Sequence, residues 1–192
     1  MTKFLSASTA LVALVLVGCS ADVLVYDAFG ERGGYHAGEL DYAGRKGAIH
    51  TVIAGNPFGG DKAKFDAYVL SKMQGQNRGT PATFVPAAGP QTDPLYRTVV
   101  AFNMPKNIDA DRMCREGAKL PADSGDGTVR MSIAFCVGDT SKSDASGIAY
   151  RVANLDDPKF TRLVRETTFV MIPDENQLEM DRNSGNTDNM LP

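Results

Sequence analysis

Apolar and polar residues alternate with a period of two along two long stretches of this chain. Over residues 96–104, Tyr96, Thr98, Val100, Phe102 and Met104 fall on one side. Arg97, Val99, Ala101 and Asn103 fall on the other, and Pro105 stops the run. Over residues 128–138, Val129, Met131, Ile133, Phe135 and Val137 share a side opposite Arg130, Ser132, Ala134 and Cys136. Successive side chains on a strand point to opposite faces, so both stretches predict strands. Residues 48–54 (AIHTVIA) predict a third strand, broken by the run GNPFGG. Shorter strands are expected at residues 23–26, at 83–85 on a sheet edge, and at 147–152 after a polar turn over residues 139–146.

Two segments carry the helical period instead. After Asp61, Phe65, Tyr68, Val69 and Met73 recur on one stripe, and Gly75 marks the expected end. Asp61 suits the N-cap, where a carboxylate accepts from the first N–H groups of the helix. Asp157-Pro158 reads as an N-cap followed by proline at the first helical position, where its missing N–H costs nothing. Phe160, Leu163, Val164 and Thr167 then mark a buried stripe, and residues 167–172 fit either a continued helix or a strand. A helical turn carrying Cys114 is expected over residues 109–116. Short polar links between the last three strands favour an antiparallel meander. The predicted fold class is α+β, an antiparallel sheet of about four to five strands with two helices packed on one face. The expected domain spans residues 46–173. Before it, residues 19–45 are glycine-rich and read as a tether; after it, residues 174–192 are polar and read as a disordered tail.

The first residues follow a different logic. Lys3 is the lone charge before Asp22, and residues 4–17 are almost wholly apolar. That run is too short to cross a hydrocarbon core, which takes about 20 helical residues, and it suits the apolar region of a signal peptide over residues 1–18. Leu16-Val17-Gly18-Cys19 resembles the bacterial lipobox, the processing signal of lipoproteins: a leucine-like residue, a small or aliphatic one, Gly or Ala, then Cys. The resemblance implies cleavage before Cys19, lipid on its thiol and acylation of its new amino group. It also implies a membrane as partner. Ser20 in place of Asp at the following position implies the outer membrane in enteric-type sorting, with the domain facing the periplasm.

With Cys19 assigned to lipid, Cys114 and Cys136 remain. Outside the cytoplasm thiols tend to oxidise, and Cys136 sits on the second face of its strand, where a crossing segment could bring Cys114. A disulfide between them is expected, in preference to two buried thiols or a catalytic pair; a C-x-x-C centre is absent.

Charge and motifs narrow the chemistry. A formal net charge of −3 with no basic stripe argues against nucleic acid as a partner. Asn56, Gly59 and Gly60 form a candidate ligand loop before a helix N-terminus, but the spacing matches neither nucleotide-binding glycine motif and Asp61 opposes an anion. His36 and His50 lie too far apart in sequence to suggest zinc, so no metal and no cofactor are expected. Asp109 with Asp111, Asp123 with Asp126, and Asp156 with Asp157 read as turns and caps, and G-x-S-x-G is absent. With no catalytic residue assigned, the expectation is a membrane-anchored, periplasm-facing accessory module binding an envelope protein or glycan. The alternatives are a periplasmic hydrolase with dispersed carboxylates and a small-ligand carrier. Facing carboxylates, or His50 beside an acid, favour the hydrolase; a dry apolar cavity favours the carrier; a flat apolar patch with no cavity favours the accessory module.

Overall fold

The computed structural model describes residues 22–27, 35–36, 38–123 and 126–172. The expected signal peptide, Cys19 and the tail over residues 174–192 lie outside the described residues. Strands β1 (Val23–Asp27), β2 (Ala48–Ala54), β3 (Phe84–Val85), β4 (Thr92–Phe102), β5 (Val129–Val137) and β6 (Thr140–Ala149) alternate with helices α1 (Glu39–Gly44), α2 (Lys62–Met73), α3 (Ala110–Glu116) and α4 (Pro158–Met171).

The six strands form one sheet in the order β1-β6-β5-β4-β2-β3. The α+β class holds, and β4, β5 and β6 form the expected antiparallel meander. The sheet as a whole corrects the expectation of four to five antiparallel strands, because β2 pairs in parallel with both β4 and β3. The cause is α2: a helix carried across one face returns the chain in the direction in which it left. The helices correct the second part of that expectation. α1, α2 and α4 contribute to the core on one face, while α3 packs on the other with Val99, Ala101, Ala134 and Cys136. Residues 19–45, read as a tether, supply β1 at the place of the strand expected over 23–26 and also α1, which was not expected.

Capping sets the helix starts as read from sequence. Asp61 accepts from the N–H groups of Ala63 and Lys64, Asp109 from that of Arg112, and Asp157 from that of Lys159. Where α2 and α4 meet the sheet, Phe160 is surrounded by rings. Its centroid lies 5.0 Å from Phe58, 5.7 Å from Phe102 and 5.9 Å from Phe65, geometries that add to the burial of apolar area. Tyr68 and Thr161 join the two helices through a 2.9 Å hydroxyl contact.

The main departure from the sequence reading is β6. Its first half looked like a polar turn, yet it runs as a ten-residue strand. Ser143, Ala145, Gly147 and Ala149 face the core and are buried, small because α4 lies directly on them. A Cβ on Gly147 would sit 2.6 Å from Thr167 Oγ1 and 2.7 Å from Leu163 Cδ1. Gly55, which ends β2, has φ 78, and a Cβ there would lie 2.7 Å from the Phe102 carbonyl. Both the backbone conformation and the space demand glycine.

Candidate functional site

Cys114 and Cys136 form the expected disulfide, with Cα atoms 5.7 Å apart. It ties α3 to β5 on the second face of the sheet. Asn56, Gly59 and Gly60 lie in the connection from β2 to α2. Asn56 Oδ1 accepts from the Phe58 N–H at 3.1 Å, and its Nδ2 donates to the Gly59 carbonyl at 2.6 Å. Asp61 already occupies the N–H groups beyond them, and these loop residues line none of the three clefts described below. Asp126 acts as a turn residue, accepting from the Thr128 N–H at 3.0 Å, whereas Asp111, read as a turn or cap residue, instead accepts from the Ser141 N–H at 2.7 Å and joins α3 to β6.

One cleft of about 310 Å³ opens beside α3. Parallel pairing of β2 with β4 sets His50 next to Arg97. Asp93, Arg115, Glu116 and the Cys114 backbone complete much of its wall. Arg97 donates to the Cys114 carbonyl and reaches Asp139 at 3.2 Å. Burial, and then the Arg97 charge, hold the His50 imidazole below its ordinary pKa, so it stays neutral and can accept a proton. Both acids of the cleft have cations of their own. Asp93 pairs with Arg45 at 2.7 Å, and Glu116 with Arg112 at 2.6 Å. The Leu95 N–H, opposed by burial and helped by Arg45, holds Asp93 below the usual carboxylate range. His36 is exposed and does not line this cleft. A polar recess of about 330 Å³ lies where β4 ends, between Asn103, Lys106, Asp126 and Arg130.

A larger groove, about 790 Å³, runs between β1 and α4. Its floor and walls come from Val23 and Val25 on one side and Thr161, Phe169 and Val170 on the other. Arg162 and Arg165 stand on its rim, the first paired with Glu166 at 2.7 Å and the second with Gln76 at 3.0 Å. β1 is the outermost strand, with no neighbour on its outer side among the described residues. An edge of that kind presents backbone N–H and C=O groups to any extended chain laid alongside it. Phe169 is 45% exposed, on the solvent side of α4 with Arg162 and Arg165.

No family model matches the chain, and no curated protein matches it. Among solved structures it is similar to the dodecamer of a PelC point variant from Paraburkholderia phytofirmans, with 10% sequence identity and a TM-score of 0.39. The overlap covers 78% of this chain and 96% of that one.

Neither the His50 cleft nor the groove beside α4 was visible in the sequence. The groove depends on β1 lying beside α4, two elements more than a hundred residues apart. A faint signal existed, since Phe169 falls off the stripe formed by Phe160, Leu163, Val164 and Thr167. Among the described residues, no three His, Cys, Asp or Glu side chains converge as a metal ion would require.

Proposed function

We propose that the chain is a lipoprotein held in the cell envelope by lipid on Cys19, and that its folded domain is a non-enzymatic module binding an extended segment of an envelope protein. The lipobox resemblance supports the anchor, and the Cys114–Cys136 disulfide suits an oxidising compartment. The observation that carries the binding role is the β1 edge beside the apolar wall of α4. Added strands gain affinity from main-chain hydrogen bonds and specificity from pockets for alternate side chains. Here Val25, Phe169 and Val170 would take apolar side chains, while Arg162 and Arg165 against Glu166 leave one positive charge in excess for an acidic one. A photoreactive side chain placed at Phe169 in the anchored protein should give a discrete crosslinked product in cells, reduced several-fold by Arg165→Glu. No product above that of the soluble Cys19→Ala protein would count against the reading.

The His50 cleft favours a second reading, a periplasmic hydrolase. Its support is a neutral imidazole in a recess that also holds Asp93 and Glu116. Turnover of envelope esters or glycans that His50→Ala abolishes would establish it, and turnover unchanged by that substitution would remove it.

A further inference from the structure

β1 begins four residues after Cys19. An extended chain covers at most ~3.6 Å per residue, so Val23 lies within about 14 Å of the lipidated sulfur's residue. This rests on the proposed lipidation, and it leaves the domain little room to turn. The end of the sheet that must face the bilayer is the one where β1 starts and β6 finishes. There the Tyr150 N–H donates to the Asp22 carbonyl at 2.9 Å, and Arg151 pairs with Asp22.

Among the described residues, nothing covers a patch at that corner. Val23 and Val25 point into the core, so Leu24 and Tyr26 stand on the opposite face of the sheet, 45% and 46% exposed. Leu24 pairs with Ile148 and Tyr26 with Ser146, so Ile148 stands beside Leu24 on the same face. Tyr150, 38% exposed, follows two residues later. α3 shields this face only at the far end, where Asp111 bonds Ser141 and the disulfide joins Cys136. Nearby charge is close to balanced. Arg151 is paired with Asp22, and the Thr128 N–H, with help from Arg130, holds the nearby Asp126 carboxyl below its usual range.

We propose that Leu24, Tyr26, Ile148 and Tyr150 form a membrane-resting surface that seats the domain on the lipid interface beside its own anchor. Tyrosine suits that position, since its ring is apolar and its hydroxyl stays wet. The balanced charge implies contact through apolar and aromatic groups, with weak dependence on salt and on anionic lipid.

The test uses the full-length lipidated protein in vesicles of phosphatidylethanolamine and phosphatidylglycerol. An environment-sensitive fluorophore is attached at Arg151→Cys or, at the opposite end of the sheet, at Lys46→Cys, and quenched by headgroup spin-labelled lipid. Quenching at position 151 should exceed that at 46 several-fold. It should survive raised salt, and it should persist when a 20-residue glycine-serine linker is inserted before Asp22. In that long-linker protein, Leu24→Asp with Tyr26→Asp should reduce it to the level at 46. Equal quenching at the two positions overturns the proposal, as does a long-linker protein indifferent to the double substitution. Concentration-dependent self-quenching at 151 without lipid quenching would show that a second copy covers the patch instead. If the protein remains soluble with an unmodified Cys19, it is the lipidation that fails.

Discussion

Replacing Gly147 by alanine puts a methyl group where α4 rests on β6. The new Cβ would lie 2.6 Å from Thr167 Oγ1, 2.7 Å from Leu163 Cδ1 and 3.2 Å from the Leu24 carbonyl. Thr167 and Leu163 are both fully buried, so they must rotate within packed surroundings or α4 must lift. Overpacking of this kind costs about 1–3 kcal/mol. Gly147 has no positive φ, so alanine is not strained there and recovers about 0.4–1 kcal/mol by restricting the unfolded chain. The net loss is about 1–2 kcal/mol, or about 2–8 °C in melting temperature for a domain of this size. Thermal unfolding followed by circular dichroism, with the disulfide intact, measures it. Thr167→Ala supplies the internal check. Its Oγ1 is buried without a hydrogen-bond partner among the described residues, so removing it leaves no orphaned group there. In the double variant the two changes should couple by at least about 0.5 kcal/mol. A Gly147→Ala protein as stable as the parent, with no coupling to Thr167→Ala, would refute the account of why β6 is built from small residues.

Two further outcomes follow from the covalent and electrostatic structure. Reducing the Cys114–Cys136 bond, which closes a separation of 22 residues, should cost about 3 kcal/mol on a chain-entropy account. An unchanged denaturant midpoint with and without reductant would count against it. His50 should titrate below the ordinary histidine value near 6.5, because burial and Arg97 both oppose its charged form. The folded state then binds fewer protons than the unfolded one, so this contribution to stability is lost as pH falls below about 6.5. Proton NMR of the His50 ring should show the low value, and Arg97→Met should raise it; a titration at or above 6.5 would contradict the geometry of the cleft.

Several features were legible in the chain because they depend on neighbours in sequence. The caps Asp61, Asp109 and Asp157 act on N–H groups two or three residues away. The faces of β4 and β5 follow from strict alternation, and the placing of Cys136 on the second face anticipated the disulfide. The first half of β6 escaped the same logic. Ser143, Ala145 and Gly147 carry too little apolar area to signal burial, and their smallness makes sense only once α4 is in place above them. α1 was hidden in a glycine-rich segment for a related reason, since a six-residue helix is held by its partners more than by its own propensity.

By itself, the sequence determined the local chemistry: which residues cap helices, which faces turn inward, which thiol fits a lipobox and which two remain to pair. Tertiary structure decided direction and juxtaposition. It made β2 parallel to β4, set His50 against Arg97, laid β1 along α4 to open a groove, and turned Leu24 and Tyr26 to the other face of the sheet. Those outcomes depend on contacts between residues tens to more than a hundred positions apart. No periodicity records such pairings, because they are chosen by how whole faces pack.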